Sequence, residues 1–199
     1  MSGKPKKLTK KARQLLRTAH ELFMKHGIRR ITVEEICREA DVSKMTFYKY
    51  FTNKNAVALR VAEDIYEEGW AKAWEIFAEN LSFPEQLQKI MLWKMEASKR
   101  WSPEFVKDLM TGDNLELKEF IEQENARSIR EIREMFVRAQ ENGDLRPDMN
   151  VDFMMFMIGV LRKLFQDEQL HALFPDMATL MQNVFKMFYY GVLADKHKR

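Results

Sequence analysis

The stretch ITVEEICREADVSKMTFYKYF, Ile31 to Phe51, packs groups that meet nucleic acid into very little chain. Lysine and threonine side chains reach phosphates and base edges, and tyrosine hydroxyls donate to phosphate oxygens. Phe47 and Phe51 stand one helical turn apart, so a helix anchored by both leaves Lys44, Met45, Thr46, Tyr48, Lys49 and Tyr50 facing outward. An ordinary solvated face does not carry so many large aromatic side chains.

Those residues need a rigid support, and the flanking sequence specifies one locally. Thr32-Val33-Glu34-Glu35 has the pattern of a capping box, with Ile31 and Ile36 spaced as a hydrophobic staple. It predicts a helix from Val33 to about Ala40. Asp41 tolerates the left-handed conformation of a sharp turn, less easily than glycine does. Ser43 then caps a helix over Lys44 to Phe51, with Val42 and Phe47 as a second staple. Before both, apolar residues from Ala12 to Phe23 recur at helical spacing between Lys10 and His26, and Gly27 supplies the stop. Cys37 falls where the two short helices approach, a position that calls for a small buried residue.

Charge is distributed to match. Residues 1–60 carry 15 Lys/Arg against 5 Asp/Glu, whereas residues 61–199 carry 18 against 25, although the net charge is only +3. A basic compact unit is the electrostatic footprint that nucleic acid requires. Lys4, Lys6 and Lys7 extend it as an N-terminal arm. With 46% hydrophobic residues, seven glycines and few alternating strand patterns, the fold expected is all-α. One cysteine excludes an internal disulfide and suits a reducing compartment. The basic start is not followed by a long apolar run, and no segment is long and apolar enough to span a bilayer, so a cytoplasmic protein without a membrane partner is expected.

Ala19 to Gly27, Ile31-Thr32-Val33, Ile36, Ala40, Val42-Ser43, Thr46, Phe47-Tyr48, Tyr50-Phe51 and Lys54 together resemble the DNA-binding domain of the TetR family of transcriptional repressors. The resemblance covers about fifty residues. It implies that Lys44, Met45, Thr46 and Lys49 read bases, whereas Thr32, Tyr48, Tyr50 and Lys54 grip the duplex backbone. Two departures are Asp41, where the family usually has glycine, and Met45, where a small residue is frequent. The implied organisation is a helix-turn-helix domain over residues 1–54 and a helical effector-binding and dimerisation domain over 55–199.

The remainder reads as further helices, giving about nine in all. A long one spans Asn55 to Glu79, with Asn53 as cap. Pro84 starts another through Trp101, and Pro103 opens a short one ending near Thr111-Gly112. A long amphipathic segment follows from Leu115 to Asn142, before Gly143. In VDFMMFMIGVLRKLF, Val151 to Phe165, apolar residues lie on almost every side, and such a helix must be covered on more than one face. This segment and the stripe from Met177 to Val192 are expected to pair with their copies across a twofold axis, through Met154, Ile158, Leu161, Leu180, Val184 and Phe188. A homodimer reads a palindrome in double-stranded DNA.

Trp70, Trp74, Phe77, Trp93, Trp101, Met110, Phe120 and Phe156 individually fit a core. Within a TetR-like chain they imply a pocket for a small apolar or aromatic effector. Docking of a protein partner instead of a small molecule, and activation instead of repression, stay open. Catalysis is not expected: the four histidines are scattered, no Glu-x-x-His pair marks a metal bundle, and neither cofactor nor metal is implied.

Overall fold

The computed structural model describes residues 9–164, 169–170, 173–174 and 176–192. Nine helices lie among them: α1 Lys10–His26, α2 Val33–Glu39, α3 Lys44–Tyr50, α4 Lys54–Phe77, α5 Phe83–Ser98, α6 Pro103–Thr111, α7 Leu115–Glu141, α8 Val151–Leu164 and α9 Met177–Val192. The all-α expectation is met. Lys4, Lys6, Lys7 and Phe165 fall outside the described residues. No described helix is long and apolar enough to cross a membrane.

The predicted caps form. Thr32 Oγ1 accepts the Glu35 N–H at 3.1 Å while the Glu35 carboxylate takes the Thr32 N–H at 2.8 Å, completing the box at α2. Asp41 is the one described non-glycine residue with positive φ, at 50°, and it turns the chain from α2 toward α3. Ser43 Oγ accepts the Thr46 N–H at 3.2 Å and Asn53 Oδ1 the Ala56 N–H at 2.9 Å, so α3 and α4 are capped too. α5 ends at Ser98, short of the expected Trp101. Ser98 Oγ donates to the Met95 carbonyl there, and Ser102 is held extended as the cap before Pro103.

The chain groups into two compact units. The first holds the described residues through Glu67 together with Trp101–Phe120. Its core is built from Leu15, Ala19 and Phe23 of α1, Ile36 and Cys37 of α2, Phe47 of α3, Val57 and Val61 of α4, and Phe105 of α6, all essentially buried. The second unit holds Glu68–Arg100 and the described residues from Ile121 on. There Phe83, Phe136, Ala139, Leu145, Val151 and Met154 form one apolar cluster.

α6 is fixed to the end of α1 by a contact that needs glycine. Gly27 has φ 84°, and a Cβ placed on it would stand 2.8 Å from Asp108 Oδ2. Without that Cβ, the Arg29 N–H donates to Asp108 Oδ2 at 2.8 Å, and Ser102 N–H donates to the Met24 carbonyl at 2.8 Å. Gly143 also has positive φ, at 74°, but nothing lies near its missing Cβ. Gly143→Ala is therefore expected to cost only the left-handed backbone penalty, about 1–2 kcal/mol. Gly27→Ala adds a clash with Asp108 and should lower the urea midpoint distinctly further. Equal losses for the two variants would contradict the close approach.

Candidate nucleic-acid interface

The seven-residue helix α3 makes too few backbone hydrogen bonds to persist by itself. It is held by Phe47, which is fully buried and meets Phe51 at 5.8 Å between ring centroids. α1 and α2 both pack against it. The ring of Tyr48 stands edge-on to Phe47, with its body on the helix and its side chain 56% exposed.

The outer face is populated as the sequence predicts. Met45 is 83% exposed, the highest among the large apolar side chains of the described chain, and nothing in its own subunit covers it. Lys44 and Lys49 are exposed, and Thr46 and Tyr50 are half-buried at the margins. Thr32, at the start of α2, is exposed, and its hydroxyl is engaged in the capping box. Thr46 Oγ1 lies 3.0 Å from Ser43 Oγ, which fixes its rotamer at the first turn of α3.

Lys44 forms an ion pair with Glu34, tying the start of α3 to α2. The ammonium hydrogen-bonded to Glu34 holds that carboxyl below the usual carboxylate range, and Glu34 in turn raises the Lys44 pKa. Both side chains are more than half exposed, so the pair is weak and opens readily when a stronger anion approaches. Lys49 remains the unencumbered cation of this face. Cys37 is buried, and burial together with the nearby Glu34 pushes its thiol pKa up, as a packing residue requires.

Lys54 is placed differently from the expectation that it grips the duplex backbone. Its Nζ donates to the carbonyls of Ile28 at 2.8 Å, Arg29 at 3.1 Å and Ile31 at 2.7 Å. An ammonium has three N–H donors, and all three are spent on the loop between α1 and α2. Burial lowers its pKa, against the pull of Asp108 and Glu35. Lys54 thus builds the support for the interface. No local pattern signals this role, because the carbonyls it satisfies come from a loop more than twenty residues away. Arg29 and Asp108, which brace the same loop, were also not legible beforehand.

The aromatic side chains expected to line a pocket are distributed over both units. Trp101, Met110 and Phe120 belong to the first, where Trp101 packs on Phe105 and Phe120 on Tyr66. In the second, Trp70, Trp74 and Phe77 form a row along α4 with ring centroids about 6 Å apart. Trp93 lies beside Gly69, close to the start of that row. The Trp70 indole N–H donates to Glu124 at 2.7 Å, and the Arg127 guanidinium sits 4.4 Å from its ring centroid. Phe156 is 67% exposed on α8 beside the exposed Phe153, so it faces outward and not into a pocket of its own unit.

The expected dimer residues need correction on the same ground. Met154 and Leu180 are 1% and 2% exposed within the single chain and are consumed by its core. Ile158 packs on that core as well, while Leu161 and Val184 are half-buried. The side chain of Phe188 lies outside the described residues. The apolar surface left open on α8 and α9 is carried by Phe153, Phe156 and Met187. Among the described residues no group of three His, Cys, Asp or Glu side chains is placed to hold a metal ion.

Comparison with known proteins agrees with this geometry. Residues 15–61 match the family described as bacterial regulatory proteins, tetR family. The HTH-type transcriptional regulator TcmR of Streptomyces glaucescens is 37% identical over 71 residues, which are 36% of this chain and 31% of that protein. The chain thus spans about a third of the length of the curated relatives it matches. The fatty acid degradation regulator FadR from Bacillus halodurans shares the fold with a TM-score of 0.71 at 20% identity, covering 94% of this chain and 98% of its own. The regulatory protein TetR from Rhodobacter sphaeroides does so with a TM-score of 0.67 at 21% identity, covering 91% and 98%.

The placement of Lys54 generates a prediction. Lys54→Met leaves three carbonyls without their donor and should destabilise the protein by about 1–3 kcal/mol, read as a lower thermal midpoint. A midpoint equal to that of the parent would mean that the three hydrogen bonds do not hold the loop.

Proposed function

We propose that the chain is a transcriptional regulator of the TetR kind, which binds a palindromic operator as a homodimer and is released by a small apolar or aromatic effector. In this reading residues 1–54 are the DNA-reading head and residues 55–199 the effector and dimerisation domain. The observation that carries it is the outer face of α3: Met45, Tyr48 and Lys49 stand exposed on a helix whose opposite side is locked by Phe47.

The exposed side chains of α3 support a division of labour on DNA. α3 enters the major groove, where Lys49 and, once it leaves Glu34, Lys44 meet base edges or phosphates. Met45 and the methyl of Thr46 offer apolar contact to a thymine methyl. Tyr48, Tyr50 and Thr32 flank this strip as hydroxyl donors to phosphate. The first turn of α4 turns its N–H groups toward the same strand, a favourable place for a phosphate. Dimerisation is assigned to the open faces of α8 and α9, because Phe153 and Phe156 stand exposed beside residues already used for the core. The row of Trp70, Trp74 and Phe77 supports an apolar or aromatic effector in the second domain. An effector that favours one spacing of the two reading heads shifts the population away from the DNA-competent state.

Selection from a random duplex pool is expected to return an inverted repeat. Lys49→Ala should alter the preferred bases, with each lost base contact worth about 1–3 kcal/mol. Weakening of all duplexes alike would instead make Lys49 a phosphate contact. Phe156→Glu is expected to give a single subunit by sedimentation, with the inverted repeat bound far more weakly. A variant that remains dimeric would remove α8 from the interface.

A further inference from the structure

Two-electron oxidants attack sulfur where it meets solvent, and the chain holds fourteen methionines and one cysteine. Cys37, the sole thiol, is buried in the core of the first unit. Of the methionines whose side chains the structure describes, all are buried or half-buried except Met45 and Met187, which are 83% and 64% exposed. Met187 belongs to the open face of α9, which pairing with a second copy would cover. Met45 is the most accessible sulfur among the described residues. A thioether needs no ionisation to react, so exposure ranks it first.

Its place on the molecule gives that exposure a consequence. Met45 is the second residue of α3, whose position is fixed by the Ser43 cap and by buried Phe47. Lys49 follows one turn later on the same face, exposed and with no ion-pair partner among the described residues. Oxidation by hypochlorous acid adds one oxygen to the thioether. The sulfur lone pair takes the chlorine and hydroxide departs, and water then adds to sulfur as chloride and two protons leave. The net products are sulfoxide, chloride and one proton. An apolar, flexible side chain becomes a polar one with an oxygen acceptor. That acceptor lies within reach of the Lys49 ammonium, and the surface that suits a thymine methyl is lost.

We infer that Met45 is an oxidation site that switches the protein between two DNA-binding states, with hypochlorous acid or another chlorinating oxidant as the chemical input. This rests on α3 being the reading helix, and it adds a second route of release beside an effector. The oxidised state removes an apolar base contact and draws off the adjacent cation, while Phe47 and the caps keep the fold. A duplex seated on Met45 shields the sulfur, so the free protein is the form that reacts. Methionine sulfoxide reductases restore the thioether, with a dithiol as electron donor and the oxygen leaving as water.

The test titrates the full chain with hypochlorous acid, with and without the selected duplex, and maps each methionine by peptide mass. Met45 is expected to convert at a lower dose than any other methionine, and saturating duplex should raise that dose. The oxidised protein should bind the duplex about tenfold more weakly, the scale of one lost base contact, at an unchanged thermal midpoint. Methionine sulfoxide reductases of both stereospecificities, with dithiothreitol, should restore binding. Met45→Leu, whatever its own affinity, should bind equally before and after treatment, whereas Met187→Leu should keep the loss seen in the parent. Earlier oxidation of another methionine, undiminished binding once Met45 is converted, or an equal loss in Met45→Leu overturns the switch. Failure of the untreated parent to bind any duplex overturns the reading of α3 itself, and it shows before oxidant is added, so the two failures are distinct.

Discussion

Burial of Phe47 is the constraint on which the interface depends. A helix of seven residues has no stability of its own, so the outward side chains of α3 have fixed positions only while this ring fills the space between α1 and α2. Ser43 and the capping box at Thr32 fix where the two short helices begin, and Asp41 supplies the left-handed turn between them. Together these features convert a flexible polar segment into a rigid strip, which reduces the ordering cost of binding.

Around this strip the polar groups brace one another. Lys54 gathers three carbonyls of the α1–α2 loop, and Asp108 takes the Arg29 N–H across the space left by Gly27. The loop between α1 and α2 is thereby satisfied from two sides, by α4 and by α6. α6 is thus tied through specific hydrogen bonds to the loop that precedes α2.

How far the sequence revealed this depends on the range of each interaction. Thr32, Asp41, Ser43 and Asn53 act on groups within a few residues, and each was legible from its type and spacing. Lys54 was not, because a lysine at a helix start reads equally as a phosphate ligand or as a donor to carbonyls brought in by tertiary folding. The same limit applies to α8. Periodicity showed that Met154 and Phe156 are both apolar, but the direction of the core decides that Met154 turns inward and Phe156 outward.

The central claim is that the exposed strip of α3 lies in the groove of a duplex. A photoreactive p-benzoylphenylalanine in place of Met45, irradiated with the selected duplex, tests it most directly. Crosslinks are predicted to bases at two symmetric positions, one per half-site, with none from the same group placed at the exposed Leu92 of the second unit. Crosslinks from position 92 but not from position 45 would contradict the account.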